Sequence, residues 1–376
     1  MSAIHSNEAS ALRASAMSPS KPMSTALPGS SHSISAGAQF AFANRSQASE
    51  IMPLSKLPAA INVEMGIPNP EAKPKLALIA GPTASGKTTL ALHLAKSHNI
   101  MIINADSAQV YSDLPVLSAQ PTPEEQASAP HRLFGYLDGR MACSAARWAA
   151  DAKGAIVEAH DTGLLPVLVG GTGLYLRTLL DGIAPIPEIN ADIRAEIRSL
   201  SVEAAYARLK TADKIMAGAL APADSSRIAR ALEVVESTGR SIAEWRKAKT
   251  GGIGGDVALH PLVLLPPRDW LYARCDARFN AMISGGAVDE VEALLARVLP
   301  DDAPIMRAIG VPEISAMLSG KIGREEAIAL GKIATRQYAK RQFTWFRNQS
   351  PAAWPRWEEE INDSNLHQIE IIFQSL

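Results

Sequence analysis

The sequence predicts an α/β protein built on a parallel sheet, and three observations predict it. Short, continuous apolar runs recur at Leu76–Ala80, Ile100–Ile103 and Leu164–Val169. Runs of that length without alternation belong to strands buried on both faces, as in parallel sheets covered by helices. Segments of helical periodicity lie between or after these runs, which is the alternation of strand–helix–strand units. The first run feeds directly into the loop Gly81-Pro82-Thr83-Ala84-Ser85-Gly86-Lys87-Thr88, of pattern G-x-x-x-x-G-K-[ST]. In such a loop the glycines let the backbone fold tightly, so that successive N–H groups point at phosphate oxygens. The next helix adds the partial positive charge of its N-terminus, Lys87 a full charge, and Thr88 a hydroxyl able to hold Mg²⁺. The expected fold is therefore a P-loop NTPase-like sheet core.

The elements follow in order. Residues 1–72 are rich in Ser, Ala and Pro, nearly uncharged, and without helical or strand period, so a disordered extension is expected. They lack the apolar core of a secretory signal, and Arg13 and Arg45 are sparse for a mitochondrial presequence. The core begins near Lys73. After the phosphate loop, Leu90, Ala91, Leu94 and Ala95 mark one face of a helix. The second strand ends in Asn104-Ala105-Asp106-Ser107-Ala108-Gln109, and a Pro-rich loop runs from Gln120 to His131. Ser144 is placed to cap a helix with Trp148, Ala152 and Ile156 in register, ended by Gly163. The strand at Leu164–Val169 ends in Gly170-Gly171-Thr172-Gly173. From 191 to 250 the signals are helical, with no strand between them, which reads as a helical insertion closed by the linker Gly251–Gly255. Leu262–Leu265 returns as a strand, and the remainder to about Arg347 is helical. The expected organisation is a core over 73–190 and 251–350, an insertion over 191–250, and a C-terminal tail over 351–376.

Bulk properties narrow the function. A net charge of −1 excludes a globally basic nucleic-acid binder, so such a partner needs a local basic patch. Cys143 and Cys275 form neither a disulfide framework nor a zinc-ligand set, which fits a reducing cytoplasm. No apolar run is long enough to span a bilayer.

In open α/β sheets ligands bind at the carboxyl ends of strands. The phosphate loop, Asp106 and Thr172 should converge there. For Asp106 a Mg²⁺ ligand, a general base and a turn-capping residue all remain open. The Thr172 hydroxyl either faces ligand or only caps the following helix. The strand before Thr172 ends in Gly-Gly, where a P-loop NTPase carries the Asp that holds Mg²⁺, which disfavours a motor or switch ATPase. The segment Thr335–Gln349 holds four basic residues and no acidic one between Arg336 and Arg347. Arg336, Lys340 and Arg347 share one helical stripe, with Tyr338 and Trp345 opposite. That stripe is either a solvated face or a surface for phosphates. Ser226-Arg227-Ile228-Ala229-Arg230 offers a weaker basic pair. His131 receives no role.

Taken together, the motifs GPTASGKTTLA, DSAQVY, APHRL, LVGGTGLYLRTLLDG, RIARALEV with STGR, and TRQYAKRQFTWFRN resemble, in this order and spacing, the bacterial tRNA dimethylallyltransferase family. The resemblance runs from about Lys75 to about Arg347. It implies transfer of a dimethylallyl group from its diphosphate to the exocyclic amine of the adenosine immediately 3′ of the anticodon. The phosphate loop, Gly81 to Thr88, then cradles a leaving diphosphate, with Lys87 and a Mg²⁺ held at Thr88. Asp106 matches the aspartate that orients the amine and takes its proton, and Thr172 a threonine near the reacting centre. Expected tRNA contacts are Asp106, Ser107, Ala108, Gln109, Thr172, Arg194, Ser226, Arg227, Ile228, Ala229, Arg230, Arg307, Ala308, Ile309, Gly310, Val311 and Pro312. The 191–250 insertion matches the part that clasps the anticodon stem-loop.

Three places depart from the family pattern. Ala108 stands where Arg is common. Leu117-Ser118-Ala119-Gln120-Pro121 replaces a G-T-A-K-P loop. Gly310-Val311-Pro312-Glu313 replaces Gly-Tyr-Arg/Lys-Glu, removing an aromatic and a cation. The segment Trp357–Leu376 has no Cys and one His, so the zinc finger of eukaryotic relatives is not expected there. A cytoplasmic monomer without membrane partner is the expectation. The alternatives are a P-loop kinase, since the loop read alone is an ATP site, and a non-catalytic RNA-binding module.

Overall fold

A computed structural model describes residues 72–300 and 302–373. The expectation of disorder over 1–72 lies, but for its last residue, outside the described residues. The six strands are β1 (Lys75–Ala80), β2 (Ile100–Asn104), β3 (His131–Arg132), β4 (Leu165–Gly170), β5 (Ala258–Leu264) and β6 (Arg356–Trp357). They form one parallel sheet in the order β3-β2-β4-β1-β5-β6. The sheet core has the P-loop-like arrangement expected from the sequence.

β1 is central, and its residues from Leu76 to Ala80 are inaccessible to solvent. Alternation splits them between two cores. Leu76, Leu78 and Ala80 face one, with α3 (Ala145–Asp161) and α4 (Gly173–Asp181) packed there through Trp148, Ala152, Ile156, Leu176 and Leu179. Ala77 and Ile79 face the other, against Leu90, Ala91 and Leu94 of α1 (Lys87–Leu94). α3 starts where Ser144 accepts a hydrogen bond from Arg147 N–H, so the sequence cap is used.

Three elements carry no sequence signal long enough to read. α2 (Pro123–Ser128) opens the Pro-rich loop with a capping box between Thr122 and Glu125. β3 is two residues long and exists through its pairing with Ile102 and Ile103. β6 pairs Arg356 and Trp357 with Val263 and Leu264. The segment expected as a tail therefore extends the sheet. It also places Leu366 and Ile369 of α14 (Leu366–Glu370), and Phe373, in the second core.

The insertion consists of α5 (Ala191–Ser199), α6 (Val202–Ala212), α7 (Lys214–Ala219), α8 (Ser225–Thr238) and α9 (Ile242–Trp245). It has its own core of Ile197, Leu209, Ile228, Leu232 and Val234. An antiparallel bridge between Ile183 and Thr250 closes its neck. After β5 come α10 (Arg268–Ser284), α11 (Ala287–Ala296), α12 (Val311–Leu318) and the long α13 (Arg324–Gln349).

α10 and α13 approach closely because Gly331 has no side chain. A Cβ there would lie 2.0 Å from Cζ of Phe279, which is 2% exposed. Gly331→Ala should cost about 1–3 kcal/mol of overpacking, against the roughly 1 kcal/mol that alanine gains over glycine in a helix. A lowered thermal midpoint is expected. A raised one would mean that Phe279 yields without cost.

Candidate active site

The phosphate loop joins β1 to α1. Gly86 has φ +95°, and a Cβ there would lie 2.9 Å from Cβ of Ile361, so position and conformation both require glycine. Ala84 takes the left-handed region at φ 63° without being glycine, a strain of the kind found at ligand clamps. The Lys87 ammonium donates to Pro82 O at 2.6 Å. Burial lowers the Lys87 pKa to about 8; Asp106 opposes the shift and Arg278 adds to it. Ser85 is buried, and its hydroxyl has no hydrogen-bond partner among the described residues.

Asp106 follows β2. Its N–H donates to Asn104 Oδ1 at 2.8 Å, and its Oδ1 accepts from Ala108 N–H at 2.9 Å. The turn-capping role is thus real, and the carboxylate also lines the cleft. Asn104, wholly buried, braces the turn by donating to Asp106 O and Leu133 O. Thr172 occupies the N-cap of α4 without a side-chain capping bond. Its hydroxyl instead accepts from Ser107 N–H at 2.9 Å and donates to Ser107 Oγ at 3.2 Å. The hydroxyl therefore faces the Asp106 loop. Gln109 spends its amide on Ser118 O and Ala119 O, so it shapes the loop.

α13 and α10 supply residues that sequence reasoning missed. Gln342, 5% exposed, accepts from Thr83 N–H at 2.8 Å and donates to Gly171 O at 2.9 Å. It ties the phosphate loop to the Gly-Gly loop. Tyr338, one turn earlier, has its phenol pKa raised by burial and by the Asp106 carboxylate; hydrogen bonds with Thr172 and Ser107 pull the other way. Arg278 donates to Thr83 Oγ1 and Ala119 O at 3.4 Å, and Arg274 to Ala84 O at 3.0 Å. The i, i+4 spacing of Arg274 and Arg278 puts both on one face of α10, but nothing in the sequence ties that face to the cleft. His131, given no role, lines a small cavity with Lys87, Thr88 and Asp106. Its Nε2 is buried without a partner among the described residues, and burial lowers its pKa.

Part of this constellation lines a cavity of about 340 Å³. Thr83, Asp106, Arg278 and Tyr338 form its polar side, and Leu117, Phe279, Met282 and Ile305 an apolar wall. Such a site takes a ligand with one anionic end and one hydrocarbon end.

Comparison with known proteins agrees with the geometry. Residues 109–349 match the family described as IPP transferase. The chain belongs to the IPP transferase family. A tRNA dimethylallyltransferase of Sphingopyxis alaskensis is 61% identical over 297 residues, covering 79% of this chain and 97% of that relative. One from Erythrobacter litoralis is 60% identical over 291 residues, covering 76% and 92%. Among solved structures, the tRNA isopentenylpyrophosphate transferase of Bacillus halodurans is similar at TM-score 0.59 and 34% identity, covering 81% of this chain and 96% of that one. A eukaryotic dimethylallyltransferase acting on tRNA is similar at TM-score 0.63 and 28% identity, covering 73% and 70%.

The remaining expected contacts of this IPP transferase family member divide. Ala108, Arg307, Ala308 and Ile309 line the cavity. Arg227 lines a second, basic groove with Arg177, Lys340, Arg341 and Trp345. Ser226 is exposed at the start of α8, and Pro312 at the start of α12. Arg194 and Arg230 flank Glu233, which is 2% exposed. Ile228 and Val311 are sealed in hydrophobic cores, Gly310 is buried and Ala229 packs on the insertion core. The side chains of Ile228 and Val311 are therefore unavailable to a partner, because their helices turn those positions inward. The basic stripe also changes. Arg336 is held by Asp276 of α10, leaving Lys340 and Arg341 to face the groove.

Gln342→Leu keeps the bulk and removes both bonds. It leaves Thr83 N–H and Gly171 C=O unpaired, at about 1–3 kcal/mol for each such group. A lower urea midpoint is expected. The loop should also hold inorganic diphosphate roughly tenfold more weakly, since about 1.4 kcal/mol of lost positioning suffices for that. Unchanged diphosphate affinity by calorimetry would remove Gln342 from the site.

Proposed function

We propose that this chain transfers a dimethylallyl group from dimethylallyl diphosphate to the exocyclic amine of the adenosine immediately 3′ of the tRNA anticodon, releasing diphosphate. The observation that carries the reading is a cavity with Thr83 of the phosphate loop, Asp106 and Arg278 at its polar side and hydrocarbon on its wall; Thr83, Asp106 and Arg278 also line the small cavity that holds Lys87 and Thr88. Arg341 lines both this cavity and the basic groove, so donor and polyanion meet at one residue. The relatives named above act on tRNA by name, which agrees.

The adenine amine attacks C1 of the dimethylallyl group as the bond from C1 to the bridging oxygen breaks. Negative charge grows on the departing diphosphate. The loop N–H groups, Lys87 and Arg278 stabilise it where it develops. Asp106 accepts the proton released from the amine, and Thr172 with Ser107 fixes the loop that aims the carboxylate. The target base leaves the anticodon-loop stack to reach the cavity. The hydroxyls of Thr83 and Thr88 and the Asp106 carboxylate border one small cavity, a set of hard oxygen donors that fits Mg²⁺. Thr88 is the residue we assign to hold it, and bound there it would neutralise diphosphate charge. The 73–190 and 251–350 segments form the catalytic core in this reading, and the 191–250 insertion grips the anticodon stem-loop. The arrangement needs nothing from a second copy, so we infer a monomer. Among the described residues no helix is long and apolar enough to cross a membrane, and a cytoplasmic site of action follows from the substrate.

Incubation with Mg²⁺, unmodified tRNA and labelled dimethylallyl diphosphate should place label in tRNA without ATP. Absence of label together with ADP formation from ATP would overturn the reading in favour of a kinase. Asp106→Ala should lower turnover by about 10²- to 10⁴-fold while diphosphate binding survives; full turnover would remove Asp106 from the mechanism. Donor affinity should fall as pH rises through about 8, because there Lys87 loses its proton in the free protein and must regain it to meet the anion. Calorimetry in two buffers of different ionisation enthalpy should show proton uptake above that pH, and Lys87→Met should abolish it.

A further inference from the structure

At the end of α1 opposite the phosphate loop, a cluster outside the cleft brings two imidazoles and a carboxylate together. His93 Nε2 lies 3.1 Å from Glu370 Oε2, and His367 Nδ1 lies 3.5 Å from the same oxygen. All three ligand-type atoms fall within 4.8 Å of one another. The two rings meet edge to face at 5.0 Å between centroids. Zinc binds imidazole nitrogen and carboxylate oxygen at about 2.0–2.2 Å in tetrahedral sites, which sets ligand-to-ligand edges of roughly 3.3–3.6 Å. One edge here, 3.5 Å, falls within that range, and the other, 3.1 Å, lies just below it and needs only a slight widening.

We propose that His93, His367 and Glu370 form a binding site for a zinc-class divalent cation, with water as the fourth ligand. Two nitrogens and one oxygen suit zinc and its borderline neighbours; they do not suit Mg²⁺, which takes oxygen ligands. The site therefore differs in kind from the phosphate loop. His367 and Glu370 are one helical turn apart on α14, so both reach the same side. His93 comes from the facing helix. The carboxylate is oriented from behind: Glu370 Oε1 accepts from the Ser97 hydroxyl, which itself meets His98 Nδ1 at 3.0 Å. Such outer partners hold metal-binding carboxylates in place. Side-chain exposures of 12% for His93 and 19% for Glu370 set two ligands firmly, and 81% for His367 leaves an open approach from solvent. The bond made is coordinate, and no redox change is involved.

The cation would fasten the C-terminal segment to α1. That segment seats Ile361 against Gly86, so the clamp secures one wall of the phosphate loop. The test uses the full chain, stripped with chelator and titrated with Co²⁺ in excess Mg²⁺. Visible absorption bands of tetrahedral Co²⁺ should appear with a stoichiometric end point, vanish on addition of Zn²⁺, and be lost in His367→Ala. That variant keeps the His93–Glu370 pair and removes an exposed ring, so it should fold. Zn²⁺ should also raise the thermal midpoint of the unaltered chain and not of His367→Ala. No tetrahedral bands in the unaltered chain would overturn the proposal. Bands of equal strength in His367→Ala would do so as well, since the metal would then sit elsewhere.

Discussion

The Gln342 amide has both ends engaged with main chain, and much of the cleft depends on it. Its oxygen fixes Thr83 of the phosphate loop and its nitrogen fixes Gly171 after β4. A buried amide left unpaired is costly, so α13 has one depth and one rotation at which it satisfies both partners. That choice sets the rest of the helix. Tyr338, one turn before, is carried to Asp106 and Thr172. Arg341, beside Gln342, is turned to where cavity and groove adjoin. The phosphate loop, Asp106 and the basic groove thus share one rigid reference.

Charge is organised in the same local way. The chain as a whole is close to neutral. Glu233 nonetheless sits almost wholly buried with Arg194, Arg198 and Arg230 around it. A carboxylate in that position costs desolvation and requires partners. The three guanidiniums that meet the requirement are thereby held on the outside of the insertion. Positive potential is presented by a buried negative charge, which no composition total can reveal.

What could be read from the chain was what is local. The phosphate loop, Asp106 and Thr172 each lie within a few residues of a strand end, so a strand, a turn and the next helix announce them. Arg278, Tyr338 and Gln342 reach the same cleft from helices far along the chain, and no spacing rule links them to it. β3 and β6 are two residues each and draw their existence from neighbours. The basic stripe was legible as periodicity, yet periodicity cannot say that Asp276 of another helix claims Arg336. Ile228 and Val311 show the converse limit: a run of adjacent positions expected at one surface must, on a helix, point partly inward.

The contact of Ile361 with Gly86 bears on how the protein matures. The phosphate loop opens the sheet core, and Ile361, which backs it, comes from far later in the sequence. β6 and α14 are likewise distant in sequence from much of the sheet and the second core that they complete. Contacts between sequence-distant residues form late, because the loop between them must close first. The phosphate loop is therefore backed only once its long-range contact with Ile361 has formed. A change at Ile361 should therefore act on a loop far from it in sequence.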